Sequence, residues 1–217
     1  MQMLHPHCGS IQNYIKQLGD SDRYRPSCCP LCQAKQALIA HGFYSRTLVD
    51  VAFEGVIRVR RYLCRLCRRT VSLLPEWALP YLRFSIPIVA CFLKARLLDA
   101  QSLKASAEAA GQPAMPYQRG QHWIRRFKKQ APTLSAALVA LTAAIAGSSF
   151  VSKALGMLET VGWVAAHRFL FRELRAHLLG WPRSLAPNGR STTLVSACGS
   201  GGDETHTICM EPEGGSG

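Results

Sequence analysis

Four cysteines in two C-x-x-C pairs are the residues of this chain best suited to chemistry: Cys29 and Cys32 in "CCPLC", and Cys64 and Cys67 in "YLCRLC". Thiolates are soft ligands, and a C-x-x-C turn is tight enough to offer two sulfurs to one ion. Two such turns complete a tetrahedron, which suits zinc held by bonds of about 2.3 Å. With all four positions filled by protein, none is left for an activated water, so the expected Zn2+ is structural. Cys28 leaves the register open, since it can replace Cys29, although C-x-x-C spacing favours Cys29. The competing readings are buried cysteines in a small core and a redox dithiol, for which one pair would suffice.

Arginines crowd the second pair. Arg58, Arg60, Arg61, Arg65, Arg68 and Arg69 fall on strand and knuckle positions, where a guanidinium can grip phosphate bidentately. Such contacts give salt-sensitive affinity without reading sequence. The formal charge of +13 is one-sided: residues 1–130 hold 20 Lys+Arg against 7 Asp+Glu, and residues 131–217 hold 6 of each. A localised basic surface points to nucleic acid or an anionic membrane.

Other chemistry is poorly supplied. There is no P-loop, no G-x-S-x-G and no H-E-x-x-H. Asp50, Glu54, Glu76, Asp99 and Glu108 do not form a strand-borne carboxylate set of the kind a two-metal nuclease needs. The expectation is therefore a protein without catalysis and without a small-molecule substrate. His5, His7 and Cys8 in "HPHC" are too close in sequence to surround one ion without a fourth partner. Cys91 is read as core on the apolar face of a helix. Nine cysteines without a disulfide-scaffold spacing, and no signal peptide at "MQMLHPHCGS", lead to a reducing, cytoplasmic setting.

The elements that must position these residues are a small sheet and a set of helices. A short helix is expected around "SIQNYIKQL". Between the knuckles, "ALIAHGFYSRTLVDV" and "GVIRVRRYL" read as strands rich in β-branched and aromatic residues. Alternation puts Val56, Arg58 and Arg60 on one side and Ile57, Val59 and Arg61 on the other. Gly42 and Gly55 are candidate turns or bulges. After another extended stretch, "RRTVSLLPEWALPYLRFS", the period changes. Ser85 can cap "IPIVACFLKARLLDA", Ser102 can cap "LKASAEAA" up to Gly111, and Pro116 opens "PYQRGQHWIRRFKKQ", expected to stop before Pro132. A further helix, "VGWVAAHRFLFRELRAHLLGW", is expected to end near Gly180.

The third of these helices has two distinct faces. Gly120, Trp123, Ile124 and Phe127 share one face at i, i+3, i+4 and i+7 and should pack inward. Gln118, Gln121, His122, Arg125 and Lys129 lie opposite, where glutamine and arginine can meet adenine and guanine edges. Arg126 and Lys128 flank them and suit phosphate, and Arg119 is a further DNA-binding candidate. A short helix followed by an amphipathic basic helix suggests a helix-turn-helix, although the Gly111–Pro116 connection is longer than the standard turn. From Gln130 to Ser152 no side chain is charged. Leu134, Leu138, Leu141 and Ile145 recur there on one helical face, which favours a buried or self-associating helix over a membrane span.

The expected fold class is α+β, with double-stranded DNA as partner and self-association through residues 133–158. The chain divides into an N-terminal extension (1–27), a zinc ribbon (28–83), a helix-turn-helix-like DNA-binding domain (84–130), a helical region (131–182) and a disordered tail (183–217) rich in Gly, Ser and Pro. "CPLC", "HGFYSR" and "IRVRRYLCRLCRRTVSLLPEWALPYLRFS" with the following helix resemble the zinc-ribbon and helix-turn-helix heads of bacterial insertion-sequence transposases, and a related mobile-element-associated family, over about residues 28–130. The resemblance implies Cys29, Cys32, Cys64 and Cys67 as ligands and the helix at 116–130 as the DNA reader. It also implies an accessory, regulatory or vestigial part in transposition, because the catalytic domain of those enzymes has no counterpart here. The rival reading is a protein-interaction module or transcriptional regulator that docks a partner through the ribbon and the apolar helix.

Overall fold

In "GVIRVRRYL" the apolar residues seek cover, and the chain supplies it by setting this strand between two others in a four-stranded sheet. A computed structural model of the 217-residue chain describes residues 2–5, 10–18, 22–174 and 177–180. All of these lie in one unit, Met1–Pro187. The elements are β1 (Gln2–His5), α1 (Ile11–Gln17), β2 (Leu38–Asp50), β3 (Phe53–Cys64), β4 (Thr70–Pro75), α2 (Ile86–Leu97), α3 (Leu103–Ala109), α4 (Tyr117–Leu138), α5 (Phe150–Val161) and α6 (Trp163–Glu173). The chain is α+β: a mixed four-stranded sheet followed by helices. The expected tail at 183–217 lies outside the described residues.

The sheet order is β1-β4-β3-β2, antiparallel except that β1 runs parallel to β4. Gly42, at φ +75°, sits where the β2–β3 register slips between Ala40 and Phe43, a bulge at a backbone conformation glycine tolerates. Gly55 pairs in register with Leu48 and is neither turn nor bulge; Asp50 and Phe53 flank the turn instead. Alternation splits the burial between the two faces. Leu48, Ile57, Val59 and Leu74 pack with Ile11, Tyr14 and Trp77 on one side, and Leu38, Tyr62, Cys64, Val71 and Leu73 pack with Cys29 on the other.

The first residues are more structured than their mixed composition suggests. Gln2–His5 adds a strand to the edge of the sheet, and Ser10 caps α1 by accepting from the Asn13 amide. The chain from Trp77 to Ile86 folds back along β2, with Val49 donating to the Arg83 carbonyl at 2.7 Å and Ser85 donating to the Val49 carbonyl at 2.9 Å. Ser85 and Ser102 cap α2 and α3 as their positions predict.

Three helix expectations differ from the structure. α4 does not stop before Pro132 but runs through it to Leu138. Proline removes one backbone donor and crowds the preceding turn. The buried stripe Gly120, Trp123, Ile124, Phe127, Ala131, Leu134 and Leu138 crosses the proline unbroken, and its packing overrides the local cost. The expected apolar helix through Leu141 and Ile145 is not formed. The chain leaves helix after Leu138, Leu141 is exposed, and Ile145 packs on Gly156 of α5. The helix expected across Gly162 is likewise broken there, at φ +87°, into α5 and α6. Among the described residues no helix is long and apolar enough to cross a membrane.

Candidate metal centre and nucleic-acid interface

The two knuckles have the same backbone plan. In the first, the Cys29 amide donates to the Ala34 carbonyl at 3.0 Å and the Gln33 amide donates to the Cys29 carbonyl at 2.9 Å. In the second, the Cys64 amide donates to the Arg69 carbonyl at 3.0 Å and the Arg68 amide donates to the Cys64 carbonyl at 3.0 Å. Gln33 and Arg68, the residues after each second cysteine, both turn left-handed, at φ +59° and +56°. Two short segments 35 positions apart thus fold into one repeated turn that points both sulfurs the same way.

The sulfurs of Cys29, Cys32, Cys64 and Cys67 all lie within 4.8 Å of one another. Cys29 Sγ is 3.7 Å from Cys67 Sγ, and Cys32 Sγ is 3.6 Å from Cys64 Sγ. These separations are far from the about 2.05 Å of a disulfide. They match the about 3.8 Å edge of a tetrahedron with metal–sulfur bonds of about 2.3 Å. The four cysteines can therefore hold one metal ion. Cys28 is disulfide-bonded and stands outside this group, so the register resolves onto Cys29. Amides of Cys67 and Leu66 stabilise the Cys64 thiolate and bring that thiol down to about 7. The Arg69 amide pulls Cys67 the same way, but burial and the neighbouring sulfurs of Cys64, Cys29 and Cys32 outweigh it and push Cys67 up to about 12. Four crowded thiols cannot all ionise unless a cation joins them.

Cys91 is exposed on α2 rather than core. α2 is apolar almost all round, so its sequence does not tell which face meets solvent. His5 is buried against Tyr24 and Tyr14, with ring centroids at 4.2 and 5.7 Å; His7 and Cys8 lie outside the described residues.

The arginines of the strip are not equivalent. Arg65, Arg68 and Arg69 are exposed around the second knuckle, and Arg58 is exposed with its guanidinium 4.2 Å from the Phe43 ring centroid. Arg60 is not free for phosphate. It is 8% exposed, donates to Asp22 at 2.7 Å and lies against Phe43 and Tyr62. Arg61 points to the opposite sheet face, half-buried, with Nη2 3.4 Å from Thr70 Oγ1.

On α4, Gln118, His122, Arg125, Lys128 and Lys129 are exposed. Gln121 is half-buried and donates to the Tyr117 hydroxyl at 3.0 Å. Arg119 is half-buried with its guanidinium 5.4 Å from the centre of the Phe84 ring. Arg126 serves the fold: its Nε donates to the Leu179 carbonyl at 2.8 Å and its Nη2 to the Gly180 carbonyl at 2.6 Å. Burial, then the charges of Arg126, Arg125 and Arg119, hold His122 below its usual pKa, so it is neutral at pH 7. The helix carries no carboxylate. Gly120 seats α4 against α2 and α3, because a Cβ there would lie 2.7 Å from Phe92 Cζ and 3.6 Å from Leu103 Cδ2.

Residues the local pattern did not single out also matter. Phe43 faces Arg58 and Arg60, and Tyr44, Arg46, Tyr81 and Arg83 gather with Arg61 at a cleft. Only the strand register and the fold-back of residues 77–86 bring them together, and no spacing rule in the sequence reports that.

A family profile described as "Domain of unknown function (DUF6431)" matches residues 29–112, a span that covers both knuckles, α2 and α3. No curated protein matches the chain, and no solved structure matches it.

Proposed function

We propose that the protein is a zinc-dependent, non-catalytic DNA-binding protein. The structural zinc is held by Cys29, Cys32, Cys64 and Cys67. The observation that carries this reading is a four-sulfur group of tetrahedral spacing at the end of a sheet whose sequence has no carboxylate from 23 to 49 or from 55 to 75. Four thiolates in a closed set suit zinc over harder divalent ions. The exposed Arg58, Arg65, Arg68 and Arg69 then supply phosphate contacts. α4 supplies a carboxylate-free face with Gln118, His122 and Arg125 toward bases and Lys128 and Lys129 toward phosphate. Arg60 and Arg126 leave the interface because Asp22 and the 179–180 carbonyls already use them. The likeness of residues 28–130 to transposase heads supports the ends of a mobile element as the duplex, with an accessory role.

A second reading, a protein-interaction module or self-associating regulator, has its own support. Val139, Leu141 and Phe150 expose 54, 42 and 59% of their surface in and beside the α4–α5 connection. The test is fluorescence anisotropy of a labelled duplex against stepped salt, with zinc-loaded and chelated protein. Salt-dependent binding that weakens on chelation is expected, with Arg125→Ala relaxing any sequence preference. No binding at 50 mM salt would sink the DNA reading in favour of the second.

A further inference from the structure

A cleft of about 530 Å³ opens beside the sheet between β2, β3, β4 and the Tyr81–Arg83 segment. Cross-strand partners share a face, so the register Tyr44↔Val59, Arg46↔Ile57 and Arg61↔Ser72 sets Tyr44, Arg46, Arg61 and Ser72 on one side of the sheet. Arg46 is the strut. Its guanidinium donates to the Leu79 carbonyl at 3.1 Å and to the Leu82 carbonyl, holding the 79–83 segment over the sheet. That leaves Arg61 and Arg83 as the other cations of the cleft. Arg61 reaches Thr70 and Arg83 the exposed Glu54, both at 3.4 Å, and Arg83 also lies over the Phe84 ring. Among the described residues no carboxylate lines the cleft.

The aromatic content is equally one-sided. Tyr81 is 55% exposed and is held at φ +61°, a left-handed conformation costly for a bulky residue. Tyr44 lines the same space. Two cations, a serine hydroxyl and two phenol rings in a cleft of small-ligand size form the donor set for one phosphate and one base. The position links the two parts of the interface. Arg83 and Arg119 of α4 lie 5.0 and 5.4 Å from the centre of the same Phe84 ring. On the other side, Thr70 is in reach of Arg61 and lines the neighbouring hollow with Cys67 and Arg69. Arg119, Arg83, Arg61 and Arg69 thus mark a cationic line from α4 past the cleft to the metal knuckle.

We infer that the cleft holds a single unstacked nucleotide of a bound strand, its phosphate on Arg61 and Arg83 and its base on Tyr81. This rests on the nucleic-acid reading above and deepens it. Base–aromatic stacking sets the expected size of the effect.

The experiment measures anisotropy of three labelled probes of one sequence: a 20-nucleotide single strand, the 20-base-pair duplex, and that duplex with one central unpaired nucleotide. The zinc-loaded full chain should prefer the single strand or the duplex with an unpaired nucleotide. Tyr81→Asn, which suits φ > 0 but has no ring, should cut that preference about 5- to 100-fold while leaving plain-duplex affinity unchanged. Arg61→Gln should lower that preference too, the preferred probe losing more affinity than the plain duplex, with melting temperatures of both variants as the control for folding. Equal affinity for all three probes, or no change in Tyr81→Asn, overturns the cleft assignment and leaves duplex binding standing. Failure of every probe to bind removes the nucleic-acid reading and the cleft assignment together. Competition by free AMP as strong as by the strand overturns the strand as occupant and gives the cleft to a free nucleotide.

Discussion

Acid should strip the metal far more steeply than it harms the rest of the fold. Each of Cys29, Cys32, Cys64 and Cys67 must be a thiolate to bind the ion, so every thiol still protonated in the metal-free chain gives up its proton on loading. Cys64, brought down to about 7, is half ionised at neutrality, whereas Cys67, pushed up to about 12, keeps its proton. About three to four protons therefore leave for each ion bound near pH 7. Affinity should drop about 10³- to 10⁴-fold per pH unit on acidification, or about 4–5 kcal/mol per unit. The consequence is local. Cys29 and Cys64 belong to the small cluster with Leu38, Tyr62, Val71 and Leu73, while the helical core around Trp123, Phe92 and Phe127 shares no residue with it. Zinc competition with a chromophoric chelator at pH 6.5, 7.0 and 7.5 gives the slope, and calorimetry in two buffers counts the protons. Hydrogen exchange should accelerate at 28–38 and 62–72 on chelation while helical circular dichroism persists. Release of fewer than two protons, or unchanged protection in the metal-free chain, would refute the tetrathiolate.

Three other outcomes follow from particular contacts. Burial, and for His177 also the Arg126 charge, lowers His167 to about 3 and His177 to about 4, so both are neutral in the folded chain and protonate near 6.5 when unfolded. Their stabilisation is full above pH 6.5 and lost as pH falls toward 4; at pH 5.5 the pair should cost about 3 kcal/mol, and His167→Leu should halve that loss in urea titrations. Gly120→Ala should destabilise by about 1–3 kcal/mol despite better helix propensity, because Phe92 is 1% exposed, packs edge-on to Trp123 at 5.4 Å and cannot yield; an unchanged urea midpoint would contradict the packing. Arg69→Ala should lower the salt slope of DNA binding by about 1 without moving the melting temperature, whereas Arg60→Ala should lower the melting temperature by releasing Asp22 and leave the salt slope alone.

Features set by neighbours in the chain were legible, and those set by distant partners were not. Ser85, Ser102 and the buried face of α4 follow from caps and a period of 3.6, both local signals. The C-x-x-C pairs were legible because the knuckle is a local turn, and the structure adds that the two turns meet. Pro132 misled because a local rule lost to a buried stripe assembled by α2, α5 and α6. β1 was missed because four residues carry no period of their own and need β4 beside them. The partners of Arg60 and Arg126 were not legible for the same reason: Asp22 lies 38 positions from Arg60, and the carbonyls that bind Arg126 lie 53 and 54 positions away.

The arginines beside the thiols raise an electrostatic question that the metal itself answers. A divalent cation in four thiolates has a net charge of −2, whereas the metal-free site, with Cys64 part ionised near pH 7, is closer to neutral. Loading therefore makes the knuckle end less positive by about one to two charges, while the exposed Lys35, Arg65, Arg68 and Arg69 keep it cationic. If field alone governed phosphate binding, the metal-free chain would bind DNA more tightly than the loaded one. Weaker binding after chelation would have to come from geometry: four cations held on two matched turns lose less freedom on meeting phosphates than the same cations on loose chain. The cations then have two roles. On the proposed function they would offset the charge of the tetrathiolate and still present a positive surplus on a fixed frame, which would account for soft ligands and guanidinium groups in one short stretch of sequence.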